Sequence, residues 1–404
     1  MIDVSPATIA DPQKAGLSPE GIERLRDTFA GLIEARRLPG SVMLIVRRGV
    51  VGLLDVQGRQ DPARAAPMRL DSIFRIYSMT KPIVSVAVMM LFERGRLLLS
   101  DPVAKYLPEF ASVQVGVERE DSSERGSERV LERVPPNRAM TVQDLLRHTS
   151  GLTYEILPRS TVRGMYAKAE VGSPDKSNAQ QVSLLASMPL MHQPGSVWEY
   201  SRATDVLGRL VEVLSGQSLG EFLRRQIFVP LGMVDTGFDV PAAQHARLAE
   251  PFSVDPDNGQ PVRLIDIRTP HAAQSGGGGL ASTLPDYARF TQMLANHGSF
   301  GGARLLGRKT IELMTADHLG AIKPTTDLLP PGYGFGLGFA VRTHAGIASI
   351  AGSVGSYHWG GIAGTQFFVD PAEQMFAVLM TQAPGQRDEF RPLFRNLVYA
   401  ALDA

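Results

Sequence analysis

The chain has 404 residues, with 41 Lys plus Arg against 41 Asp plus Glu, a formal net charge of zero and no cysteine. That balance excludes the one-signed field that gathers nucleic acid or anionic lipid, which leaves a small molecule as the expected partner. The missing cysteines exclude disulfides, thiolate nucleophiles and cysteine-ligated metals, and the length accommodates two substructures around a full core.

Met1 to Lys14 carries neither a basic start nor an apolar run, so no secretory signal is read there and a cytoplasmic location is expected. Ser18-Pro19-Glu20 opens an amphipathic helix through Ile22, Leu25, Phe29, Leu32 and Ile33, with Ser as N-cap and Pro at the first helical position. Ser41 to Val46 and Val50 to Val56, separated by Arg47-Arg48-Gly49, read as a hairpin. The apolar run Ile83 to Phe92 is a buried helix, too short to span a bilayer and followed by Glu93 and Arg94. From Ser78 to about Val240 the pattern is mostly helical, broken by Pro and Gly turns, with Glu118 to Arg133 as a charged, exposed insertion. Thr283-Leu284-Pro285-Asp286 starts a helix running into Tyr287 to Leu294. Strands are expected over Gly334 to Val341, Gly364 to Val369 and Met375 to Met380, and a last helix over about Glu389 to Leu402. Strands at both ends with helices between them give an α+β class, with a cleft between the layers as the natural ligand site.

Chemistry concentrates at Ser78-Met79-Thr80-Lys81. Residues three apart share a helix face, so the Lys81 amine can reach the Ser78 hydroxyl, the arrangement of a serine nucleophile beside its base. Pro82 fits only the first turn of a helix, which puts Ser78 at the N-terminus, where free backbone N–H groups favour a developing oxyanion. A capped Ser followed by a solvated Lys would share this spacing, so the tetrad needs company. It has two companions: Tyr200 in Pro194-Gly195-Ser196-Val197-Trp198-Glu199-Tyr200-Ser201, just before a helix, and His358-Trp359-Gly360-Gly361 at the end of a strand-like segment.

With these three motifs, and Leu145-Leu146-Arg147-His148-Thr149-Ser150-Gly151-Leu152, the chain from about Leu17 to Leu397 resembles the serine β-lactamase and penicillin-binding protein superfamily. The likeness is closest to class C β-lactamases and the related family VIII carboxylesterases. It implies an antiparallel sheet flanked by helices, built from residues 1–77 together with 275–404, a mostly helical domain over 78–274, and an active site in the cleft between them. It also implies that Ser78 is acylated, that Lys81 and Tyr200 form the proton-transfer pair, and that Trp359-Gly360-Gly361 lines the substrate cleft where β-lactamases carry Lys-Thr-Gly. The backbone N–H groups of Ser78 and Ile362 would form the oxyanion hole. No cofactor or metal is implied.

Two departures separate activities. Trp359 replaces the cation that would hold a β-lactam carboxylate, and Arg202 replaces the Asn two residues after the Tyr. Both favour an uncharged carboxylic ester as substrate over a β-lactam, although Arg202 could still pair with a carboxylate; short acyl chains are what the resemblance alone implies. A β-lactamase, a D-alanyl-D-alanine peptidase or an acyltransferase would use the same residues, and a non-catalytic penicillin-binding-like module is the alternative of another class. Gly216-Gln217-Ser218-Leu219-Gly220 matches the nucleophile elbow G-x-S-x-G, yet a helix precedes it where a strand is required; Gly216 reads as a C-cap and Ser218 with Glu221 as a capping box. His148 reads as part of a hydrogen-bonded turn, and Gly276 to Gly279 as a turn beside the cleft without the spacing of a phosphate loop. The histidines lack metal-ligand spacing.

Overall fold

A computed structural model describes residues 4, 5, 7–121 and 128–403. Helix α1 (Pro19–Glu34) starts where Ser18 Oγ accepts the Gly21 N–H at 3.2 Å, and buries Leu25 and Phe29. Strands β1 (Gly40–Arg47) and β2 (Val50–Asp61) form the expected hairpin, closed by Arg48 and Gly49 at φ +51° and +75°, the left-handed turn that matches strand twist. β3 (Ala66–Pro67) extends this edge.

The charged segment is itself a hairpin, β4 (Val115–Asp121) paired with β5 (Glu128–Val134), with Glu118, Arg119, Glu132 and Arg133 exposed; its residues 122–127 lie outside the described residues. Gly334 to Val341 is two strands and not one. β6 (Tyr333–Phe335) and β7 (Ala340–Arg342) are joined by a turn in which Gly336 N donates to Phe339 O and Gly338 takes φ +105°. β8 (Tyr357–Gly360), β9 (Gln366–Asp370) and β10 (Met375–Met380) follow.

The eight strands form one antiparallel sheet in the order β6-β7-β8-β9-β10-β1-β2-β3. Pairing of Leu44 with Val378 splices the N-terminal hairpin to the C-terminal strands. One face is covered by α1 and the C-terminal helix α5 (Arg387–Ala400), with Phe29 edge-on to Phe394 and Phe368, Leu379 and Phe390 beneath. The other face packs Val42, Leu44, Phe367 and Val378 into the larger core with α2 (Thr80–Glu93), α3 (Ala203–Ser215) and α4 (Leu284–Ala295). In α2 every residue from Thr80 to Leu91 is buried, which explains why its sequence lacks a polar face. No helix among the described residues is long and apolar enough to cross a membrane.

Candidate active site

Ser78 sits in a single 3₁₀ turn, Tyr77–Met79, that feeds α2, whose first α-helical residue is Thr80. Tyr77 adopts φ +42°, a conformation that strains a non-glycine residue and survives only where its surroundings fix it. They do so from several sides: Tyr77 OH accepts the Ile265 N–H at 2.9 Å, Ile76 N donates to Leu280 O at 3.0 Å, and Tyr287 OH of α4 donates to Met79 O at 3.0 Å. The bend leaves Ser78 partly exposed while its neighbour Met79 is buried.

Tyr200, 122 residues away, donates its hydroxyl to Ser78 Oγ at 2.6 Å. Lys81 Nζ lies 3.5 Å from the same Oγ and 4.4 Å from the centroid of the Tyr200 ring. The three predicted residues therefore meet. Lys81 is buried and also donates to Tyr154 OH at 3.0 Å and Gly277 O at 2.7 Å. Burial works against its charge, but the two phenol oxygens outweigh that and raise its pKa, so Lys81 is an ammonium at rest. Burial raises the Tyr154 phenol to about 12, which keeps it a neutral partner.

Tyr154 and Gly277 were not singled out in the sequence for this role. Tyr154 follows the turn at His148 to Gly151 without any distinguishing spacing, and Gly277 belongs to the glycine run read as a turn. Asp205, on α3, fixes that run by accepting the Gly277 N–H at 3.0 Å and the Ser275 hydroxyl at 2.6 Å. A Cβ at Gly277 would lie 2.8 Å from both Tyr154 OH and Asp205 Oδ2, so only glycine lets the loop carry its carbonyl to Lys81.

Tyr200 is held by its predecessor. Glu199 is buried and accepts from His192 at 2.7 Å, Arg163 at 2.9 Å, Thr325 at 2.9 Å and Thr153; burial opposes its charge, but these bonds from His192, Thr153 and Arg163 hold its carboxyl at about 2. His148 packs on the Tyr200 ring at 5.0 Å between centroids, with its Nδ1 3.2 Å from Ser201 Oγ. Burial and the Lys81 charge push its pKa well below 6.5, so it is a neutral wedge in the turn. Trp359 Nε1 reaches Tyr200 OH at 3.4 Å from the other side, with ring centroids 5.4 Å apart.

Among the described residues, the N–H groups of Ser78 and Ile362 donate to no protein acceptor, while Gly361 N is tied to Thr365 O at 2.8 Å. Gly360 and Gly361 are glycine for close approach: a Cβ on Gly361 would overlap Ile76 O, and one on Gly360 would lie 2.9 Å from Arg391 Cζ. Arg202 is committed to Glu155 and Asp205. Ser218 is far from this machinery in role, its Oγ capping the short helix Leu219–Leu223 by accepting the Glu221 N–H, while Gly216 closes α3 at φ +71°.

The family model described as Beta-lactamase matches residues 25–401. Esterase EstB of Burkholderia gladioli is 32% identical over 403 residues, covering 93% of this chain and 95% of that protein. Protein Rv1367c of Mycobacterium tuberculosis is 32% identical over 361 residues, covering 86% and 87%. Among solved structures, EstCE1, a hydrolase with promiscuous acyltransferase activity, superposes with a TM-score of 0.75 at 27% identity, covering 94% of this chain and 99% of its own. By sequence along nearly its whole length and by fold, this chain belongs to the beta-lactamase family.

Proposed function

We propose that the protein is a serine carboxylesterase that hydrolyses short-chain carboxylic esters through an acyl-enzyme on Ser78. One observation carries the reading: Ser78 Oγ is held at 2.6 Å by the Tyr200 phenol and at 3.5 Å by the Lys81 amine. Ser78 Oγ attacks the ester carbonyl as its proton passes to the Tyr200–Lys81 pair in the form that carries one proton fewer than the resting phenol and ammonium, and the resulting oxyanion is received by the N–H groups of Ser78 and Ile362. The pair returns the proton to the departing alkoxide, which leaves as the alcohol, and water repeats the sequence on the acyl-enzyme. The cleft would lie at the seam between residues 1–77 with 275–404 and the mostly helical 78–274.

An ester is favoured over a β-lactam because the position of the carboxylate-binding cation holds Trp359, buried against Tyr200, and Arg202 is occupied by Glu155. Acyl transfer to an alcohol in place of water is the second reading, supported by the likeness to EstCE1. Turnover of p-nitrophenyl butyrate and of nitrocefin, by the parent and by Ser78→Ala, tests both steps. Ester turnover should dominate and fall at least about 10³-fold in the variant. Unchanged ester hydrolysis in Ser78→Ala, or dominant nitrocefin turnover, would overturn the reading.

A further inference from the structure

Arg391 comes from α5, on the opposite face of the sheet from α2, and it is not among the residues that touch Ser78, Lys81 or Tyr200. Its guanidinium passes over Gly360, where any Cβ would lie 2.9 Å from Cζ, and donates through one nitrogen to Gly361 O and, at 3.0 Å, to Thr365 O. Gly361 O also accepts the Gly364 N–H at 2.9 Å, and Gly361 N closes on Thr365 O, so the 361–365 turn is tied at both ends. Among the described residues, Arg391 Nε is buried without a protein partner. Burial and the neighbouring Arg387 lower its pKa to about 10, which still leaves a cation at neutrality. Holding a guanidinium here with a donor unused is costly, so simple solvent-facing decoration does not explain it.

The chemistry of the peptide unit gives the arrangement a purpose. Gly361 C=O and Ile362 N–H belong to one planar trans peptide, so they point in opposite directions. A cation bound to the carbonyl fixes the plane and draws electron density from the amide nitrogen, strengthening the N–H as a donor on the far side. Among the described residues, Ile362 N–H has no protein acceptor.

We propose that Arg391 is a positioning residue for the oxyanion hole: by binding the Gly361 and Thr365 carbonyls from behind the sheet, it aims and polarises the Ile362 N–H toward the acyl oxygen. The inference rests on the esterase reading given above and adds to it a charge that never meets the substrate. It also accounts for the glycine pair, in which Gly360 admits the guanidinium and Gly361 admits Ile76.

The test compares the parent with Arg391→Met and Arg391→Lys by kcat and KM on p-nitrophenyl butyrate, by inhibition with an aliphatic trifluoromethyl ketone, and by thermal unfolding. The ketone adds Ser78 Oγ to its carbonyl and leaves an oxyanion in the hole, so its affinity reports the donors directly. Arg391→Met should lower kcat about 10- to 100-fold with KM within roughly 2-fold, and weaken the ketone by the same factor as kcat/KM. Arg391→Lys, which reaches fewer carbonyls, should lose about 10-fold in both and carries the same test if the methionine variant does not fold. Parental ketone affinity in a folded variant, whatever its kcat, would overturn the proposal. Absence of ester turnover and of ketone binding in the parent would instead remove the esterase reading beneath it.

Discussion

Lys81 has three oxygen acceptors within reach, and only one of them, Ser78 Oγ, is the proposed nucleophile. The other two, Tyr154 OH and Gly277 O, hold the ammonium at the Ser78–Tyr200 contact, so in the proposed reaction they would act through Lys81. Replacing Tyr154 by Phe removes a hydrogen bond to a buried charge, worth about 1.5–3 kcal/mol, and should lower kcat/KM of ester hydrolysis about 10-fold. Tyr200→Phe removes a member of the proposed proton-transfer pair and should lower kcat by about 10²–10⁴-fold with thermal stability near the parent. Steady-state kinetics on p-nitrophenyl butyrate rank the two, and a Tyr154→Phe effect as large as that of Tyr200→Phe would reverse their roles. Ser78 and Lys81 were legible in the sequence because S-x-x-K spacing is a local property of a helix start, whereas Tyr200 was picked out only through the family resemblance that its motif helps to carry. Tyr154, Asp205 and Arg391 were not legible, since their meaning arises from carbonyls and phenols brought together only by the fold.

At the scale of elements, local signals served well where the deciding interactions are local. Ser18 caps α1, Thr283 caps α4 by accepting from Asp286 N, and Arg48-Gly49 turns the first hairpin. They failed where a turn hides inside an apolar run: Gly334 to Val341 shows β-like composition throughout, but Gly338 at φ +105° reverses the chain within it, and Gly336 packs against Met314 O. The strand order was equally out of reach, because nothing near Leu44 specifies Val378 as its partner. The end of β8 is the element on which the site depends most. Gly361→Ala would drive a methyl into Ile76 O and Thr365 Oγ1, so it should destabilise by about 1–3 kcal/mol and lower kcat at least about 10-fold. Gly346→Ala, where a methyl meets nothing within 4 Å, is the matched control and should leave both denaturation midpoint and kcat unchanged. Equal behaviour of the two variants would show that close packing at Gly361 is not required.

For the whole molecule, buried histidines set the acid limit. His148 and His358 both have pKa values pushed well below 6.5 by burial, His148 additionally by Lys81 and His358 by Arg395 and Arg391. Each is neutral when folded and protonated when unfolded as pH falls through about 6.5, so the unfolded state binds more protons and stability declines by about 1.4 kcal/mol per pH unit for each. Asp286 acts in the opposite sense: burial raises it to about 6, so below that pH the folded state takes up a proton first and offsets part of the loss. Denaturation midpoints should therefore begin to drop as the pH falls through about 6.5, and His358→Gln should make that first drop shallower; an unchanged slope there would contradict the burial argument. The proposed activity requires Ser78 Oγ as the acylated oxygen, and peptide mass mapping after reaction with a fluorophosphonate tests this most directly. A single adduct on Ser78 is expected, formed much more slowly in Tyr200→Phe; an adduct on Ser218 would show that Ser78 is not the acylated oxygen, and equal labelling of both proteins would contradict the role given to Tyr200.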